Sequence, residues 1–159
     1  MRTNIVHKPV RRQDRTIDRD EAIRLLSECE HGILATVAAD GQPYAVPLSY
    51  VFHDQCIYFH CATEGHKLDN IRVNPAVSFC VVGKTRTLPG EFATEYESAV
   101  AFGTASEIKD EEKRAALVKL LEKYSPNFMA SGQKYITGKL DQTRVIRIAV
   151  EHISGKARR

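Results

Sequence analysis

Short runs of β-branched and aliphatic residues, separated by turn signals, constrain the fold of this chain more than any other feature. The first run covers residues 33–38, and the pair Asp40-Gly41 that follows it is a strong hairpin signal. The return run covers residues 44–52, and a second polar turn leads to a third run at residues 56–61. Runs joined by tight turns predict neighbouring antiparallel strands. The chain is therefore expected to be built on an antiparallel sheet.

Further runs bring the predicted strand count to six: residues 76–82, 98–108 and 144–150. Residues 83–97 are polar and contain a Pro-Gly pair, so they are predicted to be an irregular connection. Gly103 in the middle of a strand indicates a β-bulge or a close backbone approach.

Helical periodicity marks two longer segments. Asp18 is placed as the N-cap of the first, Glu21 completes its capping box, and Gly32 is expected to end it. The second begins at Asp110 and ends at Pro126, and a further short helix remains open after it. Six strands with flanking helices predict a mainly β fold, a barrel or a sandwich.

The size and composition suit one domain. The chain has 159 residues, of which 43% are apolar and 27% charged. Residues 1–17 show no periodicity and are predicted to be an N-terminal extension to a domain over residues 18–159. No run approaches the roughly 20 apolar residues that cross a bilayer. The basic, polar start does not resemble a secretory signal, so a cytoplasmic protein without membrane contact is expected.

Charge and cysteine patterns argue against two other classes of site. The net charge is +3, and the basic clusters near both ends contain no interleaved aromatic residues, so nucleic-acid binding is not expected. The four cysteines form no CxxC pair. They are interpreted as reduced core residues, and three of them lie within apolar patterns. His60 and His66 do not have the spacing of a helical metal pair, and no metal site is predicted.

The segment over residues 59–75 carries the strongest chemical signal. A strand runs into a short loop and then into a helix, whose first N–H groups favour a phosphate. Gly65 allows a close backbone approach, and His66 and Lys67 add cationic donors where an anion would lie. A cationic pair is unfavourable at a helix N-terminus unless an anion compensates it. The alternative is a plain strand–helix connection with a surface lysine, but the pair favours a phosphate site.

Pro47 interrupts a run that otherwise resembles a central strand. Proline donates no hydrogen bond to a sheet ladder, so one interpretation is an edge strand. The other is a backbone interrupted where a flat ligand lies, with the amides of Leu48 and Ser49 free to meet its heteroatoms.

Five motifs in order resemble the pyridoxamine-phosphate-oxidase-like FMN-binding split barrels. They are YAVPLSY at residues 44–50, IYFHCATEGHK at residues 57–67, NPAVSF at residues 74–79, YESAVAFG at residues 96–103 and ISGK at residues 153–156. Together they cover about residues 18–157, and the chain is most similar to the nitroimidazole-resistance (Nim) branch. The chain has no Trp. It therefore lacks the Trp–Arg clamp of the oxidase branch, which argues against pyridoxamine phosphate as substrate.

The resemblance implies a six-stranded antiparallel split β-barrel that forms a homodimer with two FMN sites at its interface. Residues that would flank the isoalloxazine are Pro47, Leu48 and Ser49. Those that would form the ribityl-phosphate pocket are His60, Cys61, Ala62, Gly65, His66 and Lys67. His66 is also the implied reactive side chain, and Arg147 and Lys156 would reach the partner's flavin.

Two functions follow from this resemblance. The first is a flavin-dependent oxidoreductase that passes two electrons to a small organic acceptor such as a nitroimidazole. The second is a non-catalytic protein that stores or senses flavin or haem, which the absence of an identifiable acid–base pair keeps open. Fold likeness alone does not decide between them.

Overall fold

The computed structural model describes residues 7–159, so residues 1–6 of the predicted N-terminal extension lie outside the described residues. In this range there are four α-helices: α1 (Arg19–Glu28), α2 (His66–Val73), α3 (Asp110–Tyr124) and α4 (Met129–Lys139). One antiparallel sheet contains the seven strands of the same range: β1 (His31–Val37), β2 (Pro43–Ser49), β3 (Val51–His53), β4 (Cys56–Cys61), β5 (Ala76–Leu88), β6 (Ala93–Ile108) and β7 (Arg144–Arg158). The mainly β prediction with flanking helices is confirmed. The strand count is seven rather than six.

The additional strand arises because the predicted run over residues 44–52 is interrupted at Tyr50. The strand order is β2-β1-β5-β6-β7-β4-β3, so β2 and β3 lie at opposite edges of the sheet. Tyr50 alone joins these two edges, and the sheet must therefore roll into a barrel that is split between them. The side chain of Tyr50 is fully buried, and its hydroxyl donates to the carbonyl of Leu26 at 2.6 Å.

The backbone at Tyr50 is held by α3 instead of by a neighbouring strand. Its N–H donates to the hydroxyl of Tyr124 at 2.9 Å, and that hydroxyl also lies 2.9 Å from the Tyr50 carbonyl oxygen. The ammonium of Lys123 donates to the carbonyls of Cys29 at 2.7 Å and Tyr50 at 3.0 Å. The C-terminal turn of α3 therefore fixes the split of the barrel.

The predicted connection over residues 83–97 is wrong, because β5 and β6 continue through most of it as a two-stranded arm. Arg86 lies opposite Glu95 on the neighbouring strand, and the two side chains form an ion pair at 2.7 Å. Most residues of the arm are exposed. Because these residues are exposed, their sequence is polar and lacks the apolar alternation that predicts a strand.

Two glycines mark places where packing leaves no room for a side chain. The pairing of β6 with β7 shifts register at Gly103, where a Cβ would lie 2.2 Å from the Ala149 carbonyl oxygen, so the predicted bulge is confirmed. Gly32 does not end α1, which stops at Glu28. It lies in β1, where a Cβ would lie 2.3 Å from the ring of Phe79.

Two apolar clusters hold the fold together. The larger one fills the barrel and includes the buried face of α1; its largest members are Leu25, Leu26, Leu34, Tyr50, Phe59 and Phe79. The smaller one lies between the sheet and the pair α3–α4, and it contains Ile108, Ala116, Leu117, Leu120, Ile136 and Val145. At the start of α1, the side chain of Asp18 accepts from the Glu21 amide at 2.8 Å, which confirms the predicted cap. None of the helices in residues 7–159 has the length and apolar character needed to cross a membrane.

The outer side of the sheet carries a row of small and apolar residues. Directly opposite residues on five adjacent strands are Pro47, Ile33, Cys80, Val100 and Ser154, which we call the outer row. They alternate with the buried residues Leu34 and Phe79, so they face away from the barrel interior. Ile33 is 42% exposed, and Val82 on the same side of β5 is 53% exposed.

Candidate functional site

The turn between β4 and α2 has the geometry of an anion site. Gly65 is the N-cap of α2 with a φ of 146°, and no side chain caps the helix there. The amides of Leu68 and Asp69 bond to the Gly65 carbonyl at 2.9 and 3.2 Å. The amides of His66 and Lys67 precede these, and first-turn amides have no partner inside a helix. A Cβ at Gly65 would meet nothing within 4 Å, so the space beside the turn is open.

A buried polar pair fixes the position of α2. The side-chain amide of Asn70 donates to the hydroxyl of Thr36 on β1 at 2.9 Å, and both residues are almost completely buried. Leu68 and Ile71 on the same helix are buried in the barrel cluster. The first turn of α2 is therefore held rigidly against β1, as a preorganised binding site requires.

The ring of His66 packs against Tyr44, which brings α2 next to β2. The two ring centroids lie 4.1 Å apart with a tilt of 33°. Tyr44 was not identified from the sequence, because its contact depends on how the helix docks on the barrel. The contact means that the predicted phosphate turn and the predicted ring-binding strand are neighbours in space.

Two cations lie near the end of β4. Strand pairing places Arg144 directly opposite Cys61, and Arg144 also pairs with Glu107 at 2.6 Å. Burial raises the pKa of the Cys61 thiol, and the charge of Glu107 acts in the same direction, while the charges of Lys67 and Arg144 act in the opposite direction. Arg144 is a candidate phosphate ligand that sequence reasoning missed, since only the register of β4 against β7 reveals it.

The strand that carries Pro47, Leu48 and Ser49 is an edge strand, as one interpretation of Pro47 predicted. Pro47 lies opposite Ile33, and both are exposed on the outer side of the sheet. An edge strand leaves alternate backbone groups unpaired in a single chain. The two interpretations of Pro47 are therefore compatible, because such an edge can also receive a ligand.

Ser49 and His60 line a groove of about 650 Å³ beside the helix pair α3–α4. We call it the aromatic groove; its main apolar lining consists of Leu120, Leu121, Tyr124, Phe128, Tyr135 and Ile136. His60 is exposed by surface area, but partial desolvation beside the groove lowers its pKa, so the imidazole stays neutral at neutral pH. A neutral imidazole can accept a hydrogen bond or bind a metal. The contribution of α3 and α4 was not predicted, because few of the α4 residues are buried.

Arg147 and Lys156 do not join the phosphate turn within one chain. Arg147 pairs with Glu112 of α3 at 2.8 Å, and its Nε atom is buried without a partner. Lys156 lies near the far end of β7, where its ammonium is 5.9 Å from the centre of the Tyr96 ring.

Metal-ligating side chains do not gather in the described part of the chain: residues 7–159 contain no group of three or more that could hold a metal ion. The four cysteines are free and partly buried. Ala62 and Gly65 are exposed in the loop that leads to α2.

Comparisons with known proteins agree with this architecture. A family model described as pyridoxamine 5'-phosphate oxidase matches residues 18–157. A search of curated proteins gave no match. Among solved structures, a candidate 5-nitroimidazole antibiotic resistance protein from Bacteroides thetaiotaomicron is 22% identical, with a TM-score of 0.76 over 89% of this chain and 86% of that one.

Two further solved structures are similar. An FAD- and haem-binding protein from Mycobacterium smegmatis is 23% identical, with a TM-score of 0.76 over 88% of this chain and 71% of that one. An FAD-binding protein from Mesorhizobium loti is 27% identical, with a TM-score of 0.63 over 91% of this chain and 98% of that one. These likenesses extend over most of the chain and show a shared fold. The family inferred from the sequence motifs is confirmed, and the chain belongs to the pyridoxamine 5'-phosphate oxidase family.

Proposed function

We propose that this protein binds FMN, with the flavin phosphate on the first turn of α2. The observation that carries the proposal is the uncapped start of α2 at Gly65, with Lys67 in its first turn and Arg144 opposite Cys61 on the neighbouring strand. Unpaired amides and two cations together suit a dianionic phosphate. The bonded pair Asn70–Thr36 keeps these donors in place before any ligand arrives.

The flavin ring extends from this turn towards Pro47, Leu48 and Ser49 in the proposed complex. The contact between His66 and Tyr44 supports this direction, because it joins the helix to β2. The ribityl chain passes His60, Cys61 and Ala62 at the end of β4. FMN is proposed because the sequence motifs resemble those of the FMN-binding split barrels, whereas two of the similar proteins bind FAD.

The working form in this proposal is a homodimer with one flavin site on each side of the interface. The outer row supports it, because a solvent-exposed apolar sheet face is a common interaction surface. Pro47 belongs both to this row and to the proposed flavin site. A second protomer seated there would cover the flavin, and Arg147 and Lys156 of one protomer would then approach the flavin of the other.

The proposed activity is reduction of a small organic acceptor such as a nitroimidazole. A reduced flavin supplies two electrons and two protons, and a nitro group that takes them up becomes a nitroso group and releases water. An external reductant such as a reduced pyridine nucleotide, together with one proton from solvent, would supply the two electrons and two protons that this reduction consumes. The protein's own part is to orient the ring, exclude water and place His66 beside it. His66 is therefore the proposed reactive side chain, and Lys67 holds the phosphate.

The direct test is the visible absorption spectrum of the purified protein, followed by anaerobic reduction. We expect a bound flavin that bleaches on reduction and recovers its colour when 2-methyl-5-nitroimidazole is added, but not when 2-methylimidazole is added. The variant H66A should slow the recovery more than it weakens flavin binding, whereas K67A should do the opposite. Protein without a chromophore that also fails to take up FMN would refute the proposal.

A second candidate function is storage of haem or flavin without turnover. The observation that favours it is His60, a neutral imidazole in an apolar groove, since such a side chain can ligate haem iron. Haem titration should then give a Soret band that H60A shifts and weakens. The exposed His53 of β3 supplies the control variant H53A, which should leave the band unchanged. A band insensitive to H60A would remove this candidate.

A further inference from the structure

The aromatic groove has the size and shape of a small-molecule site. Its volume of about 650 Å³ lies within the range of roughly 300–1,000 Å³ that is typical of ligand pockets. It is bounded by two helices and by the ends of two strands, so it is concave on several sides. Neither the predicted phosphate turn nor the outer row uses α4, and Ser49 and His60 are the lining residues that the groove shares with the proposed flavin site.

Two large aromatic side chains of the groove are unusually open to solvent. Phe128 is 67% exposed and Tyr135 is 69% exposed, and both line the groove. Only Ile136 of α4 is buried. A contiguous patch of apolar side chains that is exposed to solvent indicates a binding surface.

The groove is shaped by the close approach of α4 to α3. A Cβ at Gly132 would lie 2.3 Å from the Leu121 side chain. The backbone of α4 at Gly132 therefore packs directly against the Leu121 side chain of α3. The carbonyl of Phe128 accepts a hydrogen bond from the Ser131 hydroxyl at 3.2 Å, which fixes the first turn of α4. These contacts fix the position of α4. Tyr135 lies on this helix, and Phe128 directly precedes it.

The lining selects against a positively charged ligand. Among the described residues that line the groove there is no carboxylate, and Lys139 is the charged side chain. The other polar groups include the hydroxyls of Ser49, Ser125 and Thr143 together with the imidazole of His60. Aromatic walls with a few hydroxyls suit a flat ring system that carries hydrogen-bond acceptors.

We infer that the aromatic groove binds a planar aromatic molecule that is neutral or anionic, and that this molecule is the electron acceptor. The second half of the inference rests on the proposed function. It follows because Ser49 and His60 belong both to the groove and to the proposed flavin site, so a ligand in the groove would adjoin the flavin.

The groove can be tested with three matched probes in solution: 4-nitrobenzyl alcohol, 4-nitrobenzoate and 4-nitrobenzylammonium. Each is titrated into ¹⁵N-labelled protein, once without flavin and once with FMN present. We expect the neutral and anionic probes to shift the amide signals of Gly132, Tyr135 and Ser49. The cationic probe should bind about tenfold more weakly, because it meets Lys139 and no carboxylate.

Variants with a matched control locate the site independently of the spectra. Tyr135→Ala and Phe128→Ala should each weaken binding of 4-nitrobenzoate at least fivefold. Phe92 is 98% exposed at the tip of the β5–β6 arm, so Phe92→Ala removes an even more exposed aromatic residue elsewhere and should leave probe binding unchanged. Circular dichroism verifies that each variant is folded.

The outcomes separate this inference from the proposed function. Binding of the probes in the groove without any FMN binding would support the ligand site and refute the flavin proposal. FMN binding without probe binding at millimolar concentration would overturn the inference and leave the flavin proposal standing. Equal effects of Tyr135→Ala and Phe92→Ala, equal affinity for all three probes, or a change of oligomeric state instead of probe affinity would each overturn it as well.

Discussion

Asn70 is the residue on which the position of the phosphate turn most directly depends. It is 4% exposed, and its partner Thr36 is 1% exposed. Replacing Asn70 by Ala leaves the Thr36 hydroxyl buried without its donor, which costs about 1–3 kcal/mol. We expect a lower melting temperature and weaker FMN binding, because α2 loses its anchor.

Asn127 provides the control for this prediction. It is exposed between α3 and α4, so Asn127→Ala should leave both the melting temperature and the FMN affinity at wild-type values. If Asn70→Ala melted like wild type, the buried pair would not be what positions α2.

His60 gives the protein a defined response to acid. Burial lowers the pKa of His60 in the folded protein, while the unfolded chain titrates near 6.5. The unfolded state therefore binds the proton first, and the free energy of unfolding decreases as the pH falls from about 6.5 through the lower pKa of the folded state. The His60→Gln variant should show a shallower decrease in denaturant titrations between about pH 7.5 and 5.

Thr143 lines the same groove but does not titrate in this range. Thr143→Ala should therefore keep the wild-type pH slope even if its stability differs. An identical slope for His60→Gln and wild type would show that burial of His60 does not contribute to the acid response.

At the scale of elements, the C-terminal turn of α3 closes the barrel split. Tyr124→Phe removes the hydroxyl that contacts both the N–H and the carbonyl of Tyr50, and the buried backbone amide then lacks a partner. We expect a loss of about 1–3 kcal/mol in the free energy of unfolding, measured by chemical denaturation. Tyr135→Phe removes an exposed hydroxyl from α4 and should cost little. Equal stabilities for the two variants would contradict the role given to Tyr124.

Elements with local signals were predictable from the sequence. The N-cap at Asp18, the hairpin at Asp40-Gly41 and the start of α2 at His66 all depend on residues within a few positions of one another. Each of these signals reflects backbone chemistry that operates in a short segment. The passage from β4 through Gly65 into α2 was predictable for the same reason, and phosphate binding at this turn stays a prediction.

Elements that depend on tertiary contacts were not predictable. The β5–β6 arm is exposed, so it lacks the apolar alternation by which strands are recognised. The interruption at Tyr50 depends on Tyr124, which lies far along the chain. Arg144 joins the site only through the register of β7 against Cys61. Helix α4 buries a single residue and so gave only a weak signal.

At the scale of the whole molecule, the outer row is proposed to bring two chains together. Ile33 lies at its centre between Pro47 and Cys80. Ile33→Lys places a charge in the proposed interface, where it would be desolvated without a partner, so we expect the dimer to dissociate. Analytical ultracentrifugation should then give the single-chain mass of 17.9 kDa.

Val73 supplies the control for the interface. It is 61% exposed at the end of α2 and does not belong to the outer row, so Val73→Lys should remain dimeric. A wild-type protein that is monomeric at all concentrations, or an Ile33→Lys variant that stays dimeric, would contradict the proposed interface.

The most direct test of the account compares the affinities of FMN and riboflavin, which differ only by the phosphate. Charge-assisted hydrogen bonds from Lys67 and the first turn of α2 are expected to contribute about 1.5–3 kcal/mol, so FMN should bind at least roughly tenfold more tightly. Lys67→Ala should remove most of that difference by weakening FMN alone, whereas Lys134→Ala on the exposed side of α4 should leave it intact. Equal affinities of the wild-type protein for FMN and riboflavin would contradict a phosphate site on α2.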